Sequence, residues 1–247
     1  MSATPKQSQA NPYQVNPSQS RQLQPVSVVV VSDVVCPWCF IGKRRLEQAQ
    51  ALKPDIPVEV RYHPYFLNPW VPREGMDRDE YLTAKFGSPE RYAGIAERVA
   101  AAAAADGLIY DATKMRRQPN TLDCHRLIHW AQAAGKAPAM KQRLMDLYFT
   151  EGGDLTDPAM LVEAAASVGL DAEEMRARLA SDADVATVEQ AAMSAKNAGI
   201  DGVPTYILAG ALAVTGAQAP DDLAHVIEQL ATNREDFLAR QRAAAGA

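Results

Sequence analysis

The segment VSVVVVSDVVCPWCFIG, residues 26–42, decides the fold because it joins a buried strand to a helix through a pair of cysteines. Its first part, Val26–Ser32, is mostly valine, which is typical of a strand buried on both faces. Pro37 then occupies the first position of the predicted helix, where its missing N–H costs nothing. Cys36 and Cys39 are therefore expected one turn apart at a helix N-terminus, whose unpaired N–H groups and dipole favour a thiolate.

Two cysteines at this spacing can close a disulfide ring, and a thiolate is the species that attacks disulfides. We predict that Cys36 is the exposed nucleophile and that Cys39 is the more buried thiol that resolves the mixed disulfide. A structural zinc site is the alternative, in which Cys124 and His125 complete a Cys₃His set. Adjacent residues of a helix point about 100° apart, which disfavours that set.

Composition narrows the protein class. The 247 residues are 47% apolar and 22% charged, as in an ordinary globular protein. The net charge of −5 gives no reason to expect nucleic acid or an anionic membrane as partner. No apolar run approaches the roughly 18 residues of a spanning helix. The chain has only 3 cysteines, too few for a disulfide-stapled secreted scaffold, so a CxxC pair is expected to be catalytic or metal-binding.

The N-terminal residues 1–25 are rich in Gln, Ser, Pro and Asn and lack an apolar core. Such a segment cannot serve as a secretory signal, which needs an apolar stretch of about 7–15 residues. We predict a disordered tail. Unless a leader was removed, the protein is expected to be cytoplasmic.

The order of predicted elements indicates the fold. The first helix ends near Leu52, and a half-exposed strand follows over 58–66. Residues 75–199 carry repeated helix-start and helix-end signals and no convincing strand, which predicts about six or seven helices. A hairpin over 205–208 and 211–214 and a helix from Pro220 to about Leu230 close the chain. This β-α-β, helices, β-β-α order predicts an α/β protein, a thioredoxin fold with a large all-α insertion.

The predicted domains follow from that order. A thioredoxin-like domain comprises residues 26–74 and 200–231, and the inserted helical domain comprises residues 75–199. The remaining residues, 232–247, are predicted to form a helical or disordered C-terminal tail.

A second motif, Gly202-Val203-Pro204-Thr205, directly precedes the penultimate strand. X–Pro bonds are the only ones that adopt the cis form cheaply. A cis Pro204 facing Cys36 would leave the backbone of Val203 free to pair with an extended substrate segment. The alternative is a trans proline that only begins the strand. We predict that Val203 and Pro204, with Pro37 and Trp38 of the CPWC motif, contact substrate.

These motifs together resemble the DsbA-like family of thioredoxin-fold oxidoreductases, and most closely its FrnE-type branch. The resemblance rests on Ser32-Asp33 followed by Cys36–Gly42, on Pro64–Pro69 (PYFLNP), on Asn120-Thr121 with His125–Ile128, and on Gly202–Thr205. It implies disulfide exchange at Cys36 and Cys39, a cis Pro204 opposite them, and a helical domain that roofs the groove.

Two departures from the family pattern shape the expected chemistry. Periplasmic DsbA-type oxidases have a signal peptide and usually a His within their CxxC, and this chain has neither. Reduction or isomerisation of protein or small-molecule disulfides is therefore favoured over strong oxidation. No cofactor is expected, although glutathione stays open as the reductant, and the sequence does not indicate an oligomeric state.

Another enzyme class has the same architecture. Glutathione-dependent isomerases of the 2-hydroxychromene-2-carboxylate type and kappa-class glutathione transferases resemble this chain, but they typically carry Ser at the active turn. The presence of both Cys36 and Cys39 disfavours pure isomerase chemistry, which stays the alternative function.

Several other side chains have two interpretations. His125 and His129 have a metal-compatible i, i+4 spacing, but their apolar neighbours favour a half-buried helix against the roof of the groove. Cys124 is expected to be a small buried apolar residue, with a regulatory disulfide as the alternative. Lys43, Arg44 and Arg45 are expected to form a solvated helix face. His63 is either an exposed edge residue of its strand or a residue of the active groove. Trp38, Phe40 and Trp70 form either an apolar substrate-binding surface or part of the core.

Overall fold

The computed structural model describes residues 23–245, so most of the predicted N-terminal tail lies outside the described residues. In chain order the elements are β1 (Val26–Ser32), α1 (Pro37–Leu52), β2 (Val58–Pro64), β3 (Met76–Asp77), α2 (Arg78–Phe86), α3 (Pro89–Ala105), β4 (Arg117–Gln118), α4 (Leu122–Ala133), α5 (Ala137–Asp146), α6 (Pro158–Ser167), α7 (Ala172–Leu179), α8 (Val185–Asn197), β5 (Thr205–Leu208), β6 (Leu212–Thr215), α9 (Pro220–Thr232) and α10 (Arg234–Ala245). A short π-helical segment, Leu147–Glu151, continues α5.

The central sheet has the strand order β2-β1-β5-β6. Strand β1 pairs in parallel with β2, with Val26 opposite Val58, and antiparallel with β5, with Val30 opposite Tyr206. Because β1 and β2 are parallel, the chain between them must cross over, and α1 forms that connection. The predicted α/β thioredoxin fold with a helical insertion is confirmed.

Strand β1 lies in the middle of the core. Val26 and Val28 are 0% exposed and Val30 is 3% exposed, so β1 is covered on both faces as its run of valines predicted. Helix α1 packs against α9. On another side of α1, a Cβ atom added at Gly42 would lie 2.9 Å from Cγ of Pro204 and closer still to Oη of Tyr206. Gly42 therefore lets α1 approach the turn that precedes β5.

The segment between β2 and β5 contains seven α-helices, α2 to α8. It also contains a two-residue pairing of β3 with β4, which the sequence did not predict because two residues carry no periodic signal. Arg126 on α4 ties this segment together. It is 0% exposed and donates to the carbonyl oxygens of Ala183, Arg178 and Ser181 and to the carboxylate of Asp123. The division of the chain into domains stays a prediction.

Several predicted boundaries shift by a residue or two. Strand β2 ends at Pro64 rather than Phe66, and β6 spans Leu212–Thr215 rather than 211–214. The C-terminal tail is helical over Arg234–Ala245. Within residues 23–245, none of the helices combines the length and the apolar character that crossing a bilayer would need.

Candidate active site

Cys36 is the N-cap residue of α1, with Pro37 at the first helical position. Its carbonyl oxygen accepts hydrogen bonds from the N–H groups of Cys39 at 3.0 Å and Phe40 at 3.2 Å, so the first turn of the helix closes over the CPWC motif. Both thiols are free. The prediction that Cys36 is exposed is wrong, since Cys36 is 4% exposed and Cys39 is 2% exposed.

The backbone of Val203 covers Cys36. Its Sγ donates a hydrogen bond to the carbonyl oxygen of Val203 at 3.6 Å, so the turn before β5 lies directly against the sulfur. Trp38, between the two cysteines, is 41% exposed and marks the solvent side of the motif. Trp38 and Val203 thus lie on either side of a largely buried Cys36.

The two cysteines differ in acidity. The pKa of Cys36 is lowered, chiefly by a hydrogen bond with the Cys39 side chain and also by the N–H groups of Cys39 and Trp38, against the opposing effects of burial and of the Asp33 charge. The pKa of Cys39 is raised well above its usual value, first by burial and then by Cys36. Cys36 is thus the better nucleophile at neutral pH, as the helix N-terminus predicts.

The Val203–Pro204 peptide bond is cis, so the trans alternative is wrong. Hydrogen bonds hold the turn around it. Thr205 Oγ1 donates to the carbonyl oxygen of Gly202 at 2.7 Å, and the N–H of Gly216 donates to the carbonyl oxygen of Pro204 at 2.7 Å. The structure brings Val203 to Cys36, whereas the predicted contact of Val203 and Pro204 with substrate stays a prediction.

A buried polar cluster lies behind the cysteines, and its centre is Asp33. Asp33 is 0% exposed, its Oδ2 accepts the N–H of Leu67 at 2.8 Å, and its Oδ1 lies 3.2 Å from Nε2 of His125. Burial raises the pKa of Asp33, but the hydrogen bond and charge of His125 and the N–H of Leu67 outweigh it, and the net pKa is lowered. The pKa of His125 is lowered, chiefly by burial. Asp33 is therefore a carboxylate, which accepts a hydrogen bond from Nε2 of His125.

Lys141 of α5 is the third member of this buried cluster. It is 1% exposed, and its Nζ has no hydrogen-bond partner among the described residues. Burial lowers its pKa, against the opposing charges of Cys39 and Asp33. No local motif marks Lys141, and the sequence analysis missed it. Asp33 had one signal, its place three residues before Cys36 in the motif that carries the family resemblance.

The histidine and zinc interpretations have clear outcomes. His125 is directed to Asp33, whereas the His129 side chain is 45% exposed and lies 4.0 Å from Asp184, so the two histidines have different carboxylate partners. Cys124 is 0% exposed, as expected for a buried apolar residue. Within the described range, no cluster of three or more His, Cys, Asp or Glu side chains is placed to hold a metal ion.

The remaining candidates divide between surface and core. Trp38 and Trp70 are exposed, and Trp70 stacks on Tyr81 with centroids 5.6 Å apart, whereas Phe40 is a core residue. Lys43 was expected on a solvated face, but it is 3% exposed because Gln142 of α5 and Glu47 cover its ammonium group.

The same expectation is wrong for Arg45, which pairs with Asp106 at 2.7 Å. His63 bonds to the carbonyl oxygen of Ala191 at 2.8 Å, so it is a packed residue of β2 rather than a free edge residue.

Comparisons with known proteins agree with this geometry. The model of a family described as DSBA-like thioredoxin domain matches residues 27–228. A probable DsbA oxidoreductase from Streptomyces coelicolor is 35% identical, covers 83% of this chain and 89% of its own, and superposes with a TM-score of 0.75.

Two more distant solved structures share the fold. The cytosolic disulfide reductase DsbM from Pseudomonas aeruginosa is 19% identical over 82% of this chain and 97% of its own, with a TM-score of 0.58, and it has also been solved with GSH. A 2-hydroxychromene-2-carboxylate isomerase is 18% identical over 90% of this chain and 100% of its own, with a TM-score of 0.59.

Proposed function

Because the chain belongs to the DSBA-like thioredoxin domain family, we propose that it is a thiol–disulfide oxidoreductase that works through Cys36 and Cys39. The observation that carries the proposal is the opposite shift of the two thiol pKa values at the mouth of one helix, with the Val203 backbone against the more acidic sulfur. A structural cysteine pair has no need of different thiol pKa values. An exchange enzyme needs one thiol that readily forms the attacking thiolate and a second that stays protonated until it resolves the mixed disulfide.

The reaction has two steps. The Cys36 thiolate attacks one sulfur of a substrate disulfide, forms a mixed disulfide, and releases the other sulfur as a thiolate. Cys39 then loses its proton and attacks the Cys36 sulfur, which releases the second substrate thiolate and leaves a Cys36–Cys39 disulfide. An extended substrate segment pairs with the backbone of Val203 and thereby aligns its disulfide with Cys36.

The proposed direction is reduction or isomerisation, with protein or small-molecule disulfides as substrates. Pro37 and Trp38 place no positive charge between the cysteines, so the Cys36 thiolate depends on helix N–H groups and on Cys39. A less stabilised thiolate makes the disulfide form a weaker oxidant. Glutathione is the proposed reductant, two molecules of which return the pair to the dithiol as glutathione disulfide forms. A cytoplasmic location is proposed as well, because the cytosol is the compartment in which glutathione keeps thiols reduced.

Trapping tests the roles of the two cysteines. A Cys39→Ala variant is expected to accumulate mixed disulfides on Cys36, since no second thiol resolves them. Cys124→Ala is the matched control, because that thiol is also buried but lies outside the motif, and it should trap nothing. If Cys39→Ala traps no partner, or if the adduct maps to Cys124, the assignment is wrong. Activity on an aromatic electrophile with glutathione that survives Cys39→Ser would support the isomerase or transferase alternative instead.

Equilibration of the Cys36–Cys39 pair with glutathione tests the direction. We expect a reduction potential between about −270 and −180 mV, the range spanned by thioredoxin and protein disulfide isomerase. A value near the roughly −120 mV of DsbA would show a strong oxidant and refute the proposed direction.

A further inference from the structure

The loop between β6 and α9, residues 216–219, holds the turn that carries Pro204. The N–H of Gly216 donates to the carbonyl oxygen of Pro204 at 2.7 Å. The N–H of Gln218 donates to the carbonyl oxygen of Gly216 at 2.9 Å, and its Nε2 donates to the carbonyl oxygen of Thr215 at 2.6 Å. The loop is therefore bonded within itself and to the end of β6, and the Pro204 carbonyl follows its position.

Arg45 of α1 binds this loop directly. Its Nη1 donates to the carbonyl oxygen of Ala217 at 2.7 Å, and its Nε donates to Oδ2 of Asp106 at 2.7 Å. Asp106 is the C-cap residue of α3, so one guanidinium group joins α1, the end of α3 and the β6–α9 loop. The side chains of Arg45 and Asp106 are 22% and 10% exposed, so salt and water screen the pair less than they screen a surface pair.

The guanidinium group of Arg45 has a fixed direction. Its N–H donors lie in a rigid plane, so bonds from both Nε and Nη1 set the orientation of the whole group. Asp106 thereby aims Nη1 at Ala217. The neighbouring Lys43 is directed elsewhere, since its ammonium group donates to Gln142 of α5 and to Glu47.

The face of α1 that carries Arg45 also contacts the loop one turn earlier. Gly42 lies three residues before Arg45, and residues three apart are neighbours on a helix surface. A Cβ atom added at Gly42 would lie 3.6 Å from Cα of Ala217, an ordinary contact distance, and 2.9 Å from Cγ of Pro204. The loop and the turn therefore both lie against α1, and a displacement of the loop reaches the turn.

These contacts lead back to the reactive sulfur. The loop that Arg45 holds donates to Pro204, and the carbonyl oxygen of the preceding residue, Val203, accepts from Sγ of Cys36 at 3.6 Å. Cys36 is the N-cap residue of α1, the helix to which Arg45 belongs. The bonds thus form a circuit from the helix to the loop, to the turn, and back to the N-terminus of the helix.

We propose that Arg45 is a positioning residue, which holds the Val203–Pro204 turn in register with Cys36 and thereby sets a preference for extended peptide disulfides over small disulfides. This inference rests on the proposed disulfide exchange. A peptide must pair with the backbone of Val203 while its disulfide meets Cys36, so the spacing of the two must be fixed. A small disulfide reacts with Cys36 alone and needs no such spacing. Arg45 acts through Ala217 and the loop, and Asp106 orients it.

Two disulfides of thionitrobenzoate separate the two kinds of substrate with one readout. One is the symmetric small disulfide, and the other joins thionitrobenzoate to the cysteine of a short extended peptide. Stopped-flow absorbance of released thionitrobenzoate gives the rate constant of each with the reduced protein. We expect Arg45→Met to lower the rate constant for the peptide about tenfold, within the roughly 10²-fold that a misplacement of about 1 Å can cost, and to leave that for the small disulfide unchanged. The ratio of the two rate constants does not depend on the folded fraction, so a loss of stability alone would not change it.

Asp106→Asn distinguishes position from charge. Arg45→Met removes a positive charge and Asp106→Asn removes a negative one, so an effect of charge on the peptide would have opposite signs in the two variants. Because both variants release the loop, we expect both to lower the ratio of the peptide rate constant to the small-disulfide rate constant. Arg45→Lys keeps the charge without the planar donors and should not restore the wild-type ratio. Arg240→Met, which removes an exposed arginine of α10, should leave the ratio unchanged.

The positioning role is refuted if Arg45→Met and Asp106→Asn both keep the wild-type ratio, or if they shift it in opposite directions. Failure of the proposed function has a different result. If the wild type releases no thionitrobenzoate from either disulfide through Cys36, the proposed exchange is wrong and Arg45 has no reaction to position.

Discussion

Gly42 offers a direct test of how closely α1 must approach the turn before β5. A Cβ atom at this position would lie 2.9 Å from Cγ of Pro204 and would also overlap Oη of Tyr206, a residue that is 0% exposed. An ordinary carbon–carbon contact is about 3.5–4.0 Å, so the Pro204 ring must move by roughly 0.5–1 Å to admit a methyl group. Neither neighbour is a flexible surface chain that can turn away.

The net effect of Gly42→Ala follows from two opposed contributions. Replacing a glycine inside a helix with alanine gains about 0.5–1 kcal/mol, because the unfolded chain loses conformational freedom. Overpacking a well-filled interior costs about 1–3 kcal/mol. We therefore expect Gly42→Ala to lower the free energy of unfolding by about 1–2 kcal/mol, measured by urea denaturation. The displaced turn should also slow exchange with a peptide disulfide more than with a small aromatic disulfide, since the proposed pairing with the backbone of Val203 is open only to the peptide.

Gly94 is the matched control. It also lies within a helix, α3, but nothing stands within 4 Å of a Cβ atom added there. Gly94→Ala should therefore raise the free energy of unfolding by about 0.5–1 kcal/mol and leave both exchange rates unchanged. If the two variants had the same stability and the same rates, the close approach of α1 to Pro204 would not constrain the site, and the reasoning would be refuted.

Three further changes test the electrostatics and packing of the site. Lys85→Met should raise the pKa of Cys36, because the positive charge of Lys85 and the thiolate of Cys36 attract each other. Thiolate absorbance against pH measures this pKa, and an unchanged value would contradict the attraction. The free energy of unfolding should fall as pH drops below about 6.5, since burial lowers the pKa of His125 and the unfolded chain binds the proton more readily. In urea denaturation at a series of pH values, His125→Asn should lose less free energy of unfolding than the wild type over this range. Arg126→Ala should lower the free energy of unfolding by about 3 kcal/mol or more, because buried carbonyl groups lose their donor, whereas the exposed Arg98→Ala should have almost no effect.

The CPWC motif and the GVPT motif were predictable because each depends on local geometry. A helix begins at Pro37 because proline is tolerated only in the first turn of a helix. This start places Cys36 and Cys39 together at the N-terminus of α1. The antiparallel pairing of β5 with β1 then brings Pro204 to the same end of the sheet. The thioredoxin fold followed from the succession of elements, so the fold and the meeting of the two motifs could be inferred without coordinates.

The surroundings of the cysteines were not predictable in the same way. Lys43 and Lys141 look like ordinary helical lysines, since charged side chains on a helix are usually solvated. Lys43 is buried where Gln142 of α5 accepts from its ammonium group at 2.9 Å, and Lys141 is buried over the Tyr62 ring of β2, 5.4 Å from its centroid. The burial of Cys36 likewise depends on the Val203 carbonyl, which belongs to a distant part of the chain. Periodicity within one segment carries no information on which other segment covers it.

This difference bears on what controls the redox chemistry. The CPWC turn sets which sulfur lies at the helix N-terminus. The hydrogen bond with Cys39 lowers the pKa of Cys36, and burial raises the pKa of Cys39, so the two thiols differ in acidity. Cys36 of the same turn raises the pKa of Cys39, whereas the charge that lowers it belongs to Lys141 of α5. Lys141 also interacts with Asp33, which itself bonds to His125 of α4. The helices between β2 and β5 therefore supply part of the electrostatic environment of the cysteines. Changing Pro37 and Trp38 alone would alter the first turn of α1 but leave that buried cluster intact, whereas the hydrogen bond between Cys36 and Cys39 ties the acidity of each thiol to the other.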